Sequence, residues 1–505
     1  MRSLLMLVVL WLLPCVVTAQ TNPAAQAGRK WRQAHERAIV EEFVSLLSIP
    51  NIARDRENIQ RNAQAIAGML EKRSIPAKLV AVPGSNPIVF GEIRTPGATR
   101  TIVFYAHYDG QPLDPKEWSS PPFEPTLRNG AVESGGKVIP LAAVGSLFHP
   151  ESRLYARSAA DDKAPIVAIL AAVDAIRAAR LTLRSNIKFA FEGEEEAGSP
   201  NLEKVLAANK ELFSGDVWLM CDGPIHQTRR QSIVFGARSG VTLDLTVYGP
   251  RTELHSGHYG NWAPNPALTL ARLLTSMKDE NGQVLVEHFY EDIEPLTDLE
   301  RRSIAAAPNI DKQLMGELWL GATDGAPKTL TELITLPSLN IRGMASSRVG
   351  DQASNVIPAA ATASIDIRLV KGMDARRTAD RVIEHIRKQG FFVVDTEPSA
   401  AVRRDHRKVA KVVGSRGASN AVRTPMDLPI SQEVIRTVES ARGDVVTLPM
   451  MGGNLPLESV ERPLGTRTIV IPMGNHDNNQ HSFDENLRLQ NLWDGIELMA
   501  ALLAM

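Results

Sequence analysis

The sequence predicts an α/β protein: an open, mostly parallel sheet carries the principal site, and a smaller α+β domain is inserted into it. Three observations predict this class. Apolar runs suited to buried strands alternate with helical repeats through the first half of the chain. Those runs lead into acids or a histidine, as strands do where a ligand site lies beyond the carboxyl edge of a parallel sheet. From about Gly236 the strands instead alternate apolar and polar residues, and unbroken apolar runs return near the C-terminus. At 505 residues the chain is too long for one ordinary core, so two domains are expected.

In order, Arg2 and the apolar run 4–17 read as an export signal, too short for a comfortable membrane span. Val17-Thr18-Ala19 offers a cut ahead of Gln20, giving a signal peptide over 1–19 and a periplasmic or secreted protein. A retained anchor is the alternative, and Pro14 before Cys15 fits a lipoprotein poorly. After cleavage only Cys221 remains, so no intrachain disulfide is expected. Residues 33–47 and 62–72 have helical spacing. Residues 101–106 form a buried-strand candidate running into His107-Tyr108-Asp109-Gly110. The Pro- and Gly-rich stretch 111–150 reads as a surface excursion. Asp161 and Asp162 precede an apolar helix at 165–179. A strand at 187–191 then enters four carboxylates, Glu192, Glu194, Glu195 and Glu196, bracketed by Gly193 and Gly198. The strand 216–221 ends at Asp222.

The inserted part begins with the alternating strand 240–248. The His255 loop, a helix at 266–277, strands at 336–341, 361–369 and 391–395, and a helix at 374–388 follow. Residues 399–427 are polar and basic and read as the return linker. A helix at 432–441, the loop 450–456, a strand at 468–472, the His476/His481 loop and a final helix close the chain. The expected division is therefore 20–237 and 416–505 for the sheet domain and 238–415 for the inserted, smaller α+β domain.

His107, Asp109, Asp161, Glu195, Glu196, Asp222 and His481 each have an ordinary reading alone: a His–carboxylate pair, a helix cap, a turn former, a solvated acid. Together the ordinary readings fail, because so many acids at one sheet edge are costly without compensation. Divalent cations compensate them, and mixed imidazole and carboxylate donors suit zinc and its neighbours. A carboxylate shared by two cations makes a hydrolytic site. The formal net charge of −1 gives no reason to expect nucleic acid or an anionic membrane as partner.

These blocks, in this order and over nearly all of the mature chain, resemble metallopeptidase family M20, the di-zinc exopeptidases. Within it they look most like the carnosinase and non-specific dipeptidase branch. The resemblance implies two divalent metal ions, zinc first, with cobalt or manganese as alternatives. It implies that His107 and Asp222 hold one ion, Glu196 and His481 the other, and that Asp161 bridges them across a cis Asp161-Asp162 peptide. Asp109 would orient His107, and Glu195 would be the general base acting on water. Glu194 adds a third consecutive Glu, and Ala197-Gly198-Ser199 sets the register. Leu254-His255-Ser256-Gly257 resembles the block whose His serves the partner subunit's site in dimers. Asn355 and Arg368 fall in blocks implied to contact the substrate and its carboxylate. Gly453 and Asn454 fall in a substrate loop, with Asn454 where dipeptidases often carry Ser. The implied activity is hydrolysis of dipeptides or short peptides with a free C-terminal carboxylate by a homodimer. An aminoacylase acting on N-acyl amino acids is the nearer alternative. A non-catalytic metal-binding protein of the same fold is the distant one, and it predicts loss of Glu195 or a ligand, none of which is lost.

Overall fold

The computed structural model describes residues 22–414 and 419–505. The expected signal at 1–19, Cys15 and the expected seam at 415/416 lie outside the described residues. No helix among the described residues is long and apolar enough to cross a membrane.

The larger of the two main sheets has eight strands. Their order is Ala77–Val80, Ile88–Ile93, Asn186–Glu192, Thr101–His107, Val217–Met220, Thr468–Val470, Ser232–Val234 and Val446–Leu448. Four of its seven pairings are parallel and three antiparallel. The antiparallel edge is the hairpin of the first two strands, which the sequence pattern does not reveal. The four strands that lead into candidate site residues stand side by side and parallel. Their carboxyl ends therefore open on one edge, which is where a parallel sheet binds its ligand.

Both faces of this sheet are covered, which explains why its strands read as near-continuous apolar runs. On one face lies the helix Lys163–Ala178, apolar almost all round and buried along most of its length, as a core helix should be. It packs between Pro23–Leu47 and Leu489–Leu503. On the other face Trp218, Tyr105, Phe213 and Phe90 pack with Leu202, Val205 and Val460.

The second sheet has five strands in the order Ser338–Ala345, Ala360–Leu369, Ser239–Tyr248, Val409–Gly414 and Phe392–Val394. Val241, Leu243, Leu245 and Val247 are buried on one face, covered by Pro266–Thr275 and Ala375–Lys388. One expectation is corrected here. The stretch 399–427 is not a plain linker, because it holds the helix Ala400–Asp405 and the strand Val409–Gly414. That strand pairs with Ser239–Tyr248 from Leu243↔Gly414 to Val247↔Ala410. The short apolar run Val409, Ala410 and Val412 supplies it, and the surrounding Arg and Lys mask it in the composition.

The excursion 111–150 is anchored. Thr126–Arg128 pairs with Arg153–Tyr155, which pairs with Asn486–Arg488. This small sheet ties the segment before Asp161 to the segment after His481.

Candidate metal centre

Each group of the centre is placed by the end of a strand. His107 is the last residue of Thr101–His107, with Asp109 two residues on. Glu195 and Glu196 sit in a single helical turn after Asn186–Glu192, closed by Gly198 in the left-handed region at φ +85°. Gly193 is required by close approach, since a Cβ there would run into the Tyr108 phenol, whose hydroxyl donates to Pro87 O at 2.7 Å. Asp222 follows Val217–Met220, and Asp161 precedes Lys163–Ala178 with a cis peptide to Asp162. His481 lies in the loop between Thr468–Val470 and Asn486–Arg488.

The side chains converge on Asp161. Its Oδ1 is 2.9 Å from His107 Nε2 and its Oδ2 is 3.1 Å from His481 Nε2. Asp222 Oδ2 lies 3.7 Å from His107 Nε2, and Glu196 Oε2 lies 3.4 Å from His481 Nε2. Glu195 Oε2 stands 4.0 Å from His107 Nε2. His107, Asp161 and Asp222 are buried, whereas the His481 side chain is 53% exposed. Tetrahedral donors at roughly 2.0–2.2 Å from an ion lie about 3.3–3.6 Å from one another. The observed spread brackets that edge length. His107, Asp161 and Glu196 form one group compact enough to hold an ion, and His107, Asp162 and Asp222 another. The two groups have His107 in common, and the donor set is a candidate site for two divalent ions.

The electrostatics agree with that fit. Burial, aided by the charge on Asp161, pushes Asp222 up to about 7 and Glu196 up to about 8. Burial likewise raises Glu195 well above its usual range. Burial opposes ionisation of Asp161 too, but the hydrogen bonds from His107 and His481 prevail and hold its carboxyl low. For His107 burial is outweighed by its bonds to Asp109 and Asp161, and it is raised well above its ordinary value. The bond to Asp161 raises His481. His107 and His481 thus flank one carboxylate, each drawn toward its charged form by Asp161.

Asp109 holds the centre together. Its Oδ1 and Oδ2 accept from the backbone N–H groups of Glu195 and Glu196, each at 3.0 Å, and Oδ1 lies 3.5 Å from His107 Nδ1. Glu194 faces elsewhere, accepting from the N–H groups of Asn86 at 3.1 Å and Asn201 at 3.2 Å. Gln111 Nε2 donates to Glu196.

Glu485 belongs to the centre too, although no motif in the sequence points to it. This fully buried carboxylate accepts from Ala160 N at 2.9 Å and Asp161 N at 3.0 Å through Oε1. Through Oε2 it accepts from Ser158 N and Arg157 Nη1, both at 2.8 Å. Arg157 also donates to Ser482 O at 2.9 Å. One clamp therefore fixes the residues before Asp161 to those after His481. Its only sequence signal is a Glu four residues past that histidine.

The inserted domain's expected residues lie apart. His255 is exposed, its Nδ1 accepts from Gly257 N at 3.1 Å, and its ring lies 4.6 Å from that of His258. Asn355 is exposed beside it, with its carbonyl accepting from Ser256 N at 2.9 Å. Arg368 Nε is 2.9 Å from Asp366 Oδ2. Among the described residues, no hydrogen bond or ion pair joins these three to the centre. Gly453 lines a cavity beside the centre, and Asn454 is exposed.

The profile of peptidase family M20/M25/M40 matches residues 103–505. The chain is 26% identical over 485 residues to the Cys-Gly metallodipeptidase dug1 of Schizosaccharomyces pombe, covering 91% of this chain and 94% of that one. It is 26% identical over 443 residues to the human Beta-Ala-His dipeptidase, covering 82% and 76%. The solved M20 family metallo-carboxypeptidase Sso-CP2 of Sulfolobus solfataricus superposes with a TM-score of 0.75 at 25% identity, covering 92% of this chain and 98% of that one.

Proposed function

Because the chain belongs to peptidase family M20/M25/M40 and is a metal-dependent hydrolase, we propose that it is an exopeptidase that cleaves dipeptides or short peptides bearing a free C-terminal carboxylate. The observation that carries the reading is Asp161, whose two oxygens face His107 and His481. His107 and Asp222 would hold one divalent cation and Glu196 and His481 the other, with Asp161 shared. Zinc suits this donor set, with cobalt or manganese as alternatives. When bound, the cations supply Lewis acidity that polarises the scissile carbonyl and acidifies water.

The protein's own groups do the rest. Glu195 takes a proton from the attacking water at its carboxylate and returns it to the leaving amine. Burial raises its affinity for a proton, which makes it a stronger base for that first transfer. Asp109 is a positioning residue: it fixes His107 and, through two backbone N–H groups, the turn that aims Glu195 and Glu196. Arg368 keeps its terminal nitrogens for a substrate carboxylate beside its pairing with Asp366. His255 would donate to the developing oxyanion from a partner subunit, which makes the working form a two-fold homodimer. The exposed edge strand Ser338–Ala345 supports such an assembly. An export signal over 1–19 would send the protein to the periplasm or outside the cell, and N-terminal sequencing of exported material starting near Gln20 checks this.

The test is chelation followed by metal return, assayed on a dipeptide panel and on N-acyl amino acids, with metal analysis. Dipeptide hydrolysis should vanish and come back with zinc, cobalt or manganese. Full activity in metal-free protein sinks the reading. Turnover of N-acyl amino acids alone transfers it to the aminoacylase alternative.

A further inference from the structure

A cavity of about 560 Å³ lies beside the centre, within the range of roughly 300–1,000 Å³ usual for small-molecule sites. Its position follows from the chain. One edge is Pro224, two residues from Asp222, and another is Gln480, the neighbour of His481. The mouth therefore lies within about 7 Å of backbone from two expected metal ligands. Its walls come from both halves of the molecule: apolar Leu448 and Met451 from the sheet domain and Ile310 and Ile334 from the insertion face a polar rim that includes Gln227, His476 and Asn479.

These walls are fixed. Arg238 donates to the carbonyls of Ile334 at 2.7 Å and Leu336 at 2.8 Å, which holds the helix Leu330–Ile334 in place. The helix Asp298–Ala306 is tied to the sheet domain by Ser303 Oγ, 2.9 Å from Thr447 Oγ1. Arg423 Nε meets Glu300 at 2.8 Å between buried side chains. Asp477 is the one charged residue lining the cavity among the described residues, and it is paired with Arg153 at 2.6 Å. A charged side chain entering here would exchange its hydration for neutral groups such as Gln227 and Asn479, with no free opposite charge to pair with. An aliphatic or aromatic one would leave water for an apolar wall.

We propose that this cavity receives a side chain of the peptide and makes the protein prefer substrates with a bulky apolar residue. The proposal rests on the dipeptidase reading above and adds the substrate's chemistry to it. It makes Ile334 a specificity residue contributed by the inserted domain to a reaction carried out by the other.

The test uses the zinc-loaded protein and two dipeptide series, X-Ala and Ala-X, with Ala, Leu, Phe, Asp and Lys as X. In one series kcat/KM for Leu and Phe should exceed that for Ala by about tenfold or more, with Asp and Lys below Ala. Ile334→Lys should collapse the Leu/Ala ratio, and Ile334→Ser should lower it more gently. The ratio is independent of the fraction of folded protein, so a poorly folding variant still reports. Ratios within about twofold in both series, or unmoved by both variants while Ala-Ala is cleaved, overturn the cavity's role and leave the dipeptidase reading standing. Failure to cleave any peptide removes that reading, and this inference falls with it.

Discussion

The groups around Asp161 and the groups around His255 solve opposite problems. In the first region most groups are buried or half-buried, and the carboxylates that frame it are already engaged. Asp109 accepts two backbone N–H groups, and Glu485 accepts three together with a guanidinium. In the second, His255 and Asn355 are exposed on a two-stranded ribbon, and among the described residues they reach nothing in the centre. The ordering cost of the reacting groups is therefore met when this chain folds, which is what preorganised electrostatics require. The recognition groups wait for a substrate, a closure or a second copy.

The largest effect should come from breaking the first region's chemistry while keeping its frame. Glu195→Gln should retain metal and lose turnover by on the order of 10² or more. Glu196→Gln should instead weaken one metal site, measurable as stoichiometry below two. The reverse pattern would shift the register of the Glu run by one and contradict the placement of Glu194, which bonds to Asn86 and Asn201 instead.

The next effect probes the second region. His255→Ala should lower turnover by roughly 10²–10³ with metal content unchanged, the usual loss for one oxyanion donor. Mixing His255→Ala with Glu195→Gln discriminates cis from trans action. If the His acts in trans, a mixed dimer holds one site with both defects and one with neither, so activity returns on subunit exchange. Exchange without recovered activity confines His255 to its own chain or to no catalytic role.

A smaller effect should follow from loosening the clamp. Glu485→Gln keeps a carbonyl for two of the N–H donors but turns an N–H group toward the others and removes the charge opposite Arg157. Metal affinity should fall about 10- to 100-fold, as when the partners of metal ligands are changed. Turnover at saturating metal should fall much less. Unchanged affinity by competition with a chelator would make the clamp purely architectural.

The two regions also differ in how far the sequence discloses them. His107, Asp161, the Glu run, Asp222 and His481 are legible because each closes an apolar stretch whose period is local. Glu485 is not, because nothing local marks a loop Glu as buried; its four donors lie more than 320 residues away. The strand Val409–Gly414 is hidden for a related reason, since its charged neighbours outweigh three apolar residues whose partner strand lies far back in the chain. The hairpin Ala77–Val80 and Ile88–Ile93 escapes notice because its first strand is largely exposed and carries no buried run.

The mildest expected effect is on stability, and it tests whether the centre is built for cations. In chelated protein, Glu196 and Asp222 have folded values near 8 and 7, above their ordinary carboxylate range. Glu195, His107 and His481 are shifted upward too. A group whose folded value exceeds its unfolded one binds more protons folded than unfolded between the two. Stability therefore falls as pH rises through that window. Asp161 is shifted the other way, but its contribution changes only below about pH 4, so within the centre the signs agree between pH 5 and 8; His226, His385 and buried Lys163, all held low, act oppositely and temper the drop. The melting temperature of the chelated protein should thus drop between pH 5 and 8, on the order of a few degrees. Added zinc should raise it most at the upper end, where the carboxylates and imidazoles no longer hold protons against the ion. A chelated protein whose melting temperature stays level or rises from pH 5 to 8 would mean that the acids around Asp161 are balanced without metal. The contrast with the exposed His255 region would then rest on burial alone.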